Sequence, residues 1–302
     1  MNETAFIAAL RALPLHPGAG GLADDAAQLR VGDETLILTH DAMVEGTHWL
    51  PGQDMADVAW KLVASNLSDL AAKGAEPVGL LLSHMLGEAD DRFLAGLSEV
   101  CEHYGVGILG GDTVAARAGA ARTLGCTAIG RATHLPVPTR SGAQIGDRLY
   151  VTGVLGQAML GFEALRGINS EPKGADSTAF RRPLARLAEG EALAPLATAM
   201  MDVSDGLLLD AFRLAEASGC SLAIDSHAVP VADPERRLDC LRWGDDYELL
   251  FTLPPYVALP VPAARIGTVE ARGFAPLFLD GEPVTNAQGL GYRHAAPGLD
   301  TA

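Results

Sequence analysis

Lysine is nearly absent from this 302-residue sequence; Lys61, Lys73 and Lys173 are the only three. No G-x-x-x-x-G-K-[ST] run occurs, and no lysine stands beside a glycine-rich strand-to-helix turn, so the usual phosphate-cradling loop is excluded. The signature motifs of protein kinases are missing too. A formal net charge of −16 leaves little to hold a nucleic-acid backbone, which is bound through lysine and arginine. Phosphate groups would have to be met by metal ions, backbone N–H groups or a few placed arginines. No run approaches the ~20 apolar residues that span a bilayer. Cys101, Cys126, Cys220 and Cys240 form no C-x-x-C pair and no zinc spacing, which fits free thiols in a reducing cytoplasm. Residues 1–16 carry one arginine and no long apolar block, so they predict a short amphipathic helix rather than a secretory signal.

What is present is an apolar share of 48% with 20% charged residues, the composition of a globular chain. Its length suits two domains. Residues 35–39 predict a buried strand running into His40-Asp41. Val58, Leu62, Val63, Leu67 and Leu70 recur at helical spacing over 56–73, with Gly74 as the stop. Strands are predicted at 78–84, at 106–109 ending on Gly110-Gly111-Asp112, and at 122–130, with a helix at 92–104. Pro136, Pro138, Gly142 and Gly146 then mark a connection over 134–147. Beyond it, strands at 148–152, 221–225 and 247–253 and helices at 155–165 and 206–218 open a second αβ region. The polar stretch 167–179 predicts a mobile loop. The fold class is α/β of the α+β type, two αβ domains over 1–137 and 138–302.

Six short motifs place carboxylates where elements are expected to begin or end. They are Asp24-Asp25, His40-Asp41, Asn66-Leu67-Ser68-Asp69, Gly110-Gly111-Asp112-Thr113, Asp202-Val203-Ser204-Asp205-Gly206 and Gly244-Asp245-Asp246-Tyr247-Glu248. Singly, each reads as a solvated turn or a helix cap, and capping suits Ser204 and Asp205 because a helix follows. Together they suggest a magnesium site, because that ion takes hard oxygen ligands and usually only one or two carboxylates beside substrate phosphates. Several ions around a triphosphate need carboxylates gathered from several loops. Asn66 and Asp69 are three apart on the expected helix, hence on one face. Gly110-Gly111 reads either as a close backbone approach to a ligand or as a plain tight turn.

These motifs resemble the thiamine-monophosphate kinase family. The resemblance lies in Gly21-Leu22-Ala23-Asp24-Asp25-Ala26-Ala27, in Asp41-Ala42-Met43-Val44-Glu45-Gly46-Thr47-His48-Trp49 and in residues 66–75. It continues in Gly110-Gly111-Asp112-Thr113, Thr139-Arg140-Ser141-Gly142-Ala143, Asp202-Val203-Ser204-Asp205-Gly206-Leu207 and Gly244-Asp245-Asp246-Tyr247-Glu248-Leu249. The seven stretches follow the family's order from about Gly21 to Tyr292. The resemblance implies the ATP-binding fold shared with aminoimidazole ribonucleotide synthetase and selenophosphate synthetase, with an N-terminal domain whose mixed sheet dimerises and a C-terminal αβ domain beside it. It implies Asp25, Asp41, Asp69, Asp112, Asp202 and Asp205 as Mg²⁺ ligands, with Thr39 and His40 in the hydroxyl-rich positions before Asp41. Gly111, Asp112, Arg140 and Ser204 match nucleotide contacts, and His48, Asp245 and Tyr292 match substrate contacts. Three positions depart: Ala23 stands for a glycine, His40 for a threonine or serine, and Asp245 for a glutamate. Imidazole is a poor Mg²⁺ ligand, so the contact at His40 is expected to be lost or made by its carbonyl.

The implied reaction moves the γ-phosphoryl group of ATP onto thiamine monophosphate. Its nucleophile is a phosphate oxygen already ionised at neutral pH, since the second pKa is about 6, so no general base is required. Catalysis then reduces to alignment and charge neutralisation by Asp41, Asp69, Asp112 and Arg140 with bound metal. The thiazolium of the substrate suits an aromatic face beside a carboxylate, here Tyr292 and Asp245. Trp49, Trp60 and Trp243 read as core residues. Another ATP-dependent synthetase of the same superfamily, or a non-catalytic nucleotide-binding relative, remains the alternative.

Overall fold

Two β-sheets with helices against them make up the computed structural model, which describes residues 3–117, 119–167 and 176–294. In the first half, helix α1 (Glu3–Leu10) precedes β1 (Ala27–Val31), β2 (Glu34–Val44), α2 (Met55–Ala72), β3 (Ala75–Met85), α3 (Asp90–Tyr104), β4 (Ile108–Val114) and β5 (Thr123–Ala132). The strands form one mixed sheet in the order β1-β2-β5-β3-β4, with β3 and β4 parallel and the other neighbours antiparallel. The second half contains β6 (Arg148–Val151), α4 (Gln157–Arg166), α5 (Thr178–Arg181), α6 (Leu187–Leu193), β7 (Ala199–Val203) and α7 (Leu207–Ser218). It continues with β8 (Ser221–Ile224), α8 (Arg237–Trp243), β9 (Glu248–Leu253), β10 (Ala264–Glu270), β11 (Leu277–Leu279) and β12 (Glu282–Val284). These strands form a sheet in the order β12-β11-β8-β10-β6-β9-β7. Most of the stretch expected as a mobile loop, residues 168–175, lies outside the described residues, and its far end enters α5.

Helix α2 is the joint of the molecule. Asp54 caps its start by accepting the Ala56 N–H at 3.0 Å, and every residue of the helix except Asp69 is buried. A helix buried on all sides needs a wall on all sides. One wall is the first sheet, where Leu62, Val63, Leu67 and Leu70 join Ile37, Leu80 and Leu124 in one core. Each such side chain contributes about 1.5–3 kcal/mol on burial. The other wall comes from the second half of the chain. Ser68 Oγ donates to Asp202 on β7 at 2.7 Å, and Trp60 Nε1 donates to the Pro183 carbonyl at 2.8 Å. Gly190 on α6 approaches so closely that a Cβ there would sit 2.0 Å from the Ala71 carbonyl oxygen. Trp60 and Ser68 of α2 therefore reach the second half of the chain, while Asn66 and Asp69 meet β2.

Strand β2 continues through Asp41 instead of ending there, and the alternation of the strand divides its residues. Thr39, Asp41 and Met43 turn inward toward α2, while His40 and Ala42 are exposed on the outer face. Likewise, β4 runs through Gly110, Gly111 and Asp112, so the glycine pair is neither a strand end nor a tight turn. A Cβ at Gly111 would lie 2.0 Å from the Leu82 carbonyl oxygen of β3, so the glycine permits the strand contact.

Candidate active site

Three carboxylates from distant parts of the chain meet at the seam. Asp25 lies just before β1, Asp69 on α2 and Asp202 on β7, and a carboxylate oxygen from each falls within 4.8 Å of the others. Asp25 is the compensated member. Lys73 Nζ stands 2.6 Å from its Oδ2, and Arg140 approaches its Oδ1 at 2.5 Å. Burial pushes its pKa up, but the Arg140 guanidinium and Lys73 ammonium outweigh that and hold it below the usual carboxylate range. Asp24 also takes Lys73, at 2.5 Å.

Asp69 and Asp202 have no such partner. Asp69 accepts from the Thr39 hydroxyl and Asp202 from Ser68, and neither makes an ion pair among the described residues. Burial, then the neighbouring carboxylates Asp41 and Asp202, raise Asp69 well above its ordinary value, and burial followed by Asp25 pushes Asp202 up to about 8. Buried oxygens that repel one another and lack a counter-charge suit a hard divalent cation, which would invert that balance. The donor set fits such an ion: it is all oxygen, without sulfur or imidazole.

Asp41 stands next to this cluster. Its N–H donates to Asn66 Oδ1 at 3.0 Å, and burial raises its carboxyl pKa. His40 does not join as a side-chain ligand. It points to the other face of the sheet, where Nδ1 meets the Thr127 hydroxyl at 2.8 Å. Asp205 is close but is engaged by Arg213 at 2.5 Å. The capping expected of Ser204 and Asp205 is not what starts α7: Gly206 holds the cap position with no side-chain bond. Asp210 instead folds back from the first turn and accepts the N–H groups of both Ser204 and Asp205 at 3.1 Å.

Cavities open on both sides of Ser204-Asp205. One of about 420 Å³ is lined by Asp41, His48, Asp245 and Tyr292, and by Phe162, Phe180, Trp243 and Tyr247. Trp243, expected in the core, belongs to this wall, whereas Trp49 and Trp60 are core residues. His48 Nδ1 accepts the Val44 N–H at 2.9 Å, which leaves its proton on Nε2, and burial, then His294, lower its pKa. Asp245 accepts from Lys61 at 2.7 Å and from the Tyr247 hydroxyl at 3.1 Å. On the other side lie cavities of about 650 Å³, lined in part by Arg11, Arg140, Ser204 and Arg213, and about 590 Å³, lined by Asp24, Thr139, Arg140 and Ser141. Arg140 faces both.

Gly111 and Asp112 are not brought to the cluster within one chain. The ladder runs from Ala42 to Gly125, from Gly125 to Ser83 and from Ser83 to Asp112. Asp112 therefore shares the outer face with Ala42 and His40, three strand steps across, roughly 14 Å at ~4.8 Å per strand. Asp41 faces inward.

Sequence reading missed Lys61 and Lys73, both fully enclosed and both paired to site carboxylates. Their signal was scarcity: in a chain with three lysines, two lie on α2 or at its end, beside Asn66 and Asp69. The aromatic wall gave no such signal, since Phe162, Phe180 and Trp243 are scattered along the chain.

Known proteins match this architecture over nearly the whole chain. Residues 23–132 match the AIR synthase related protein, N-terminal domain, and residues 144–275 the corresponding C-terminal domain. The thiamine-monophosphate kinase of Escherichia coli K12 is 38% identical over 306 residues, covering 91% of this chain and 92% of its own. That of Caulobacter vibrioides is 36% identical, covering 92% and 86%. The solved structure of AaThiL complexed with AMPPCP and TMP superposes with a TM-score of 0.85 at 29% identity, covering 97% of both chains. A hydrogenase maturation protein, HypE, shares the fold with a TM-score of 0.68 at 24% identity, over 86% of this chain and 87% of its own. With its carboxylates gathered at the seam of two AIR synthase related domains, this chain belongs to the thiamine-monophosphate kinase family.

Proposed function

We propose that this chain transfers the γ-phosphoryl group of ATP directly to the phosphate of thiamine monophosphate, yielding ADP and thiamine diphosphate, with Mg²⁺ held by Asp25, Asp41, Asp69 and Asp202. The observation that carries this reading is the juxtaposition of the buried carboxylates with an aromatic cavity on one side of Ser204-Asp205 and arginine-lined cavities on the other. When bound, Mg²⁺ supplies positive charge that neutralises the phosphates and a template that aligns them.

The remaining work falls to the chain's own groups. The aromatic wall and Asp245 hold the cationic thiamine end, and Tyr292, at the rim, contributes a ring. His48 presents Nε2–H as a neutral donor to the substrate phosphate. Ser204 stands at the boundary between the two kinds of cavity, where the phosphates must meet. Arg140 lies between the nucleotide side and Asp25, placed to screen phosphate charge. One bond forms, from a substrate phosphate oxygen to the γ-phosphorus, and one breaks, from that phosphorus to the bridging oxygen, whose electron pair leaves with ADP. No proton has to be removed from the nucleophile, so none of these residues is required to act as a general base.

Gly111 and Asp112 enter this proposal through a second copy of the chain. Strands β3 and β4 of the first sheet expose Val78, Leu81, Ile108, Leu109 and Val114, apolar side chains suited to burial against a second copy. A homodimer formed there supports the reading of Asp112 as a metal and nucleotide contact for the neighbouring site, and Asp205 completes the set once nucleotide competes for Arg213. A cytoplasmic location is part of the same proposal, supported by four unpaired cysteines. No helix of the described residues is long and apolar enough to cross a membrane.

The decisive experiment mixes purified protein with ATP, Mg²⁺ and thiamine monophosphate. ADP and thiamine diphosphate should appear in equal amounts and only with magnesium present. Nucleotide binding without turnover, or ADP formed only with a different acceptor, would reject the reading.

A further inference from the structure

Lys73 ends α2 and is wholly enclosed. Its Nζ lies 2.5 Å from Asp24 Oδ1, 2.6 Å from Asp25 Oδ2 and 3.3 Å from the Met200 carbonyl oxygen. The ammonium donates to Asp24 and to the Met200 carbonyl, and it meets Asp25 Oδ2, a buried oxygen without a hydrogen-bond partner, as an ion pair. The free oxygen of Asp25, Oδ1, is taken by Arg140 at 2.5 Å. Asp24 and Asp25 are thus balanced by two cations of the protein itself. The carboxylates of Asp69 and Asp202 have only hydroxyl partners, and none of Asp41, Asp69 and Asp202 makes an ion pair among the described residues. The acidic site is divided into a self-neutralised half and a half that needs added charge.

The two protein cations differ in freedom. Arg140 sits on the connection between the sheets and borders two open cavities, so it can turn toward a phosphate. Lys73 is fixed by its own backbone, whose N–H closes the last turn of α2 on Leu70 and Ala71, and it borders none of these cavities. We infer that Lys73 is a resident cation of the acidic site, its ammonium filling the place between Asp24 and Asp25 that a divalent ion would otherwise take. It is a positioning residue: it touches no substrate and sets how many ions bind before nucleotide arrives. The inference rests on the proposed divalent-ion role of the cluster.

The consequence is an inverse relation between this side chain's charge and metal binding. Lys73→Met keeps the length of the side chain and removes the charge, leaving Asp24 and Asp25 short of one positive neighbour. Lys73→Arg keeps the charge. Metal-free wild type and both variants are titrated with Mn²⁺ without nucleotide, counting free ion by electron paramagnetic resonance. Thermal unfolding is followed in EDTA and in Mn²⁺. The methionine variant should bind one further ion per chain, or bind its first at least about tenfold more tightly, because a positive charge within a few ångströms of a divalent ion has been removed. Its Tm should fall in EDTA and recover in Mn²⁺, and the arginine variant should keep the wild-type count. A purely structural lysine predicts something else, a lower Tm under both conditions with no change in ion count, and that result overturns the inference. So does a methionine variant that fails to fold even with Mn²⁺, because a divalent ion must be able to replace the ammonium. Folding only in Mn²⁺ supports it. Wild-type protein that binds no Mn²⁺ would instead remove the divalent-ion reading of the cluster.

Discussion

Lys61 Nζ and Asp245 Oδ2 stand 2.7 Å apart across the seam, one on the buried helix α2 and the other on the loop entering β9. The same ammonium donates to the His48 carbonyl at 3.1 Å and lies 3.9 Å from the centroid of the Phe180 ring. A single buried cation therefore ties together three parts of the aromatic cavity wall.

Replacing Lys61 by methionine should loosen that wall and leave Asp245 turned toward water. We expect kcat/KM for thiamine monophosphate to fall about tenfold or more, mainly through KM, with the KM for ATP little changed. Because Asp245 is 31% exposed, solvent takes up part of its lost pairing, and the stability loss should stay below the ~3–5 kcal/mol typical of a broken fully buried pair. Steady-state kinetics with each substrate varied in turn checks this; an unchanged KM for thiamine monophosphate removes Lys61 from substrate positioning.

His48 gives a pH signature on the acid side. Its pKa is lowered in the folded protein from an ordinary 6.5, by burial first and His294 second. As pH drops below about 6.5, the unfolded chain takes up a proton before the folded one does, so stability is lost toward the folded pKa and is fully present above 6.5. Protonation of Nδ1 would also break the bond from Val44. His48→Gln, whose side-chain oxygen can still accept that N–H, should flatten the decline in Tm between pH 7 and pH 5. Parallel curves for wild type and variant would show that His48 does not titrate in this environment.

Much of this site could be read from the chain, and the misreadings share a cause. Helix α2 was legible because Val58, Leu62, Val63, Leu67 and Leu70 recur at helical spacing, and the sequence placed Asn66 and Asp69 on a shared face without help from tertiary contacts. Strands were cut short at Asp41 and at Gly110 because local pattern treats a carboxylate or a glycine pair as the end of an apolar run. The folded chain carries those residues inside β2 and β4, where Asn66 accepts the Asp41 N–H and Leu82 packs against Gly111. Strand β10 escaped notice because the register slips between Arg265 and Gly267, which breaks alternation. Strands β11 and β12, with three residues each, are too short to show a period. The face on which Asp112 lies depends on pairing through β5 and β3, information that no local stretch contains.

Asp202 should reveal the uncompensated half of the cluster. Its carboxyl is raised from 3.8 to about 8, by burial and then by Asp25. The folded protein therefore holds a proton that the unfolded chain releases, and metal-free stability should fall as pH rises from about 4 through about 8. Added Mg²⁺ should restore the loss at the alkaline end by binding the ionised form. Asp202→Asn keeps an acceptor for Ser68 while removing the charge. Its metal-free Tm should change less with pH than that of wild type, while its turnover collapses. A variant with wild-type pH dependence and full turnover would place Asp202 outside the metal site.

Asp112 tests whether the site is shared between two chains. Within one chain it faces away from Asp69, on the outer side of the sheet and three strands from β2. If a second copy supplies it, each site joins Asp69 of one chain to Asp112 of the other. Asp69→Asn and Asp112→Asn should each be inactive as homodimers, since every site then carries a lesion. In a hybrid dimer, one site collects both lesions and the other collects none. Random reassortment makes half the dimers hybrids with one good site of two, so mixed subunits should recover about a quarter of wild-type activity per chain. Differently tagged variants, co-expressed and purified as hybrids, should reach about half. Hybrids that remain as inactive as either parent would mean that Asp69 and Asp112 act in the same chain, or that Asp112 does not act at all.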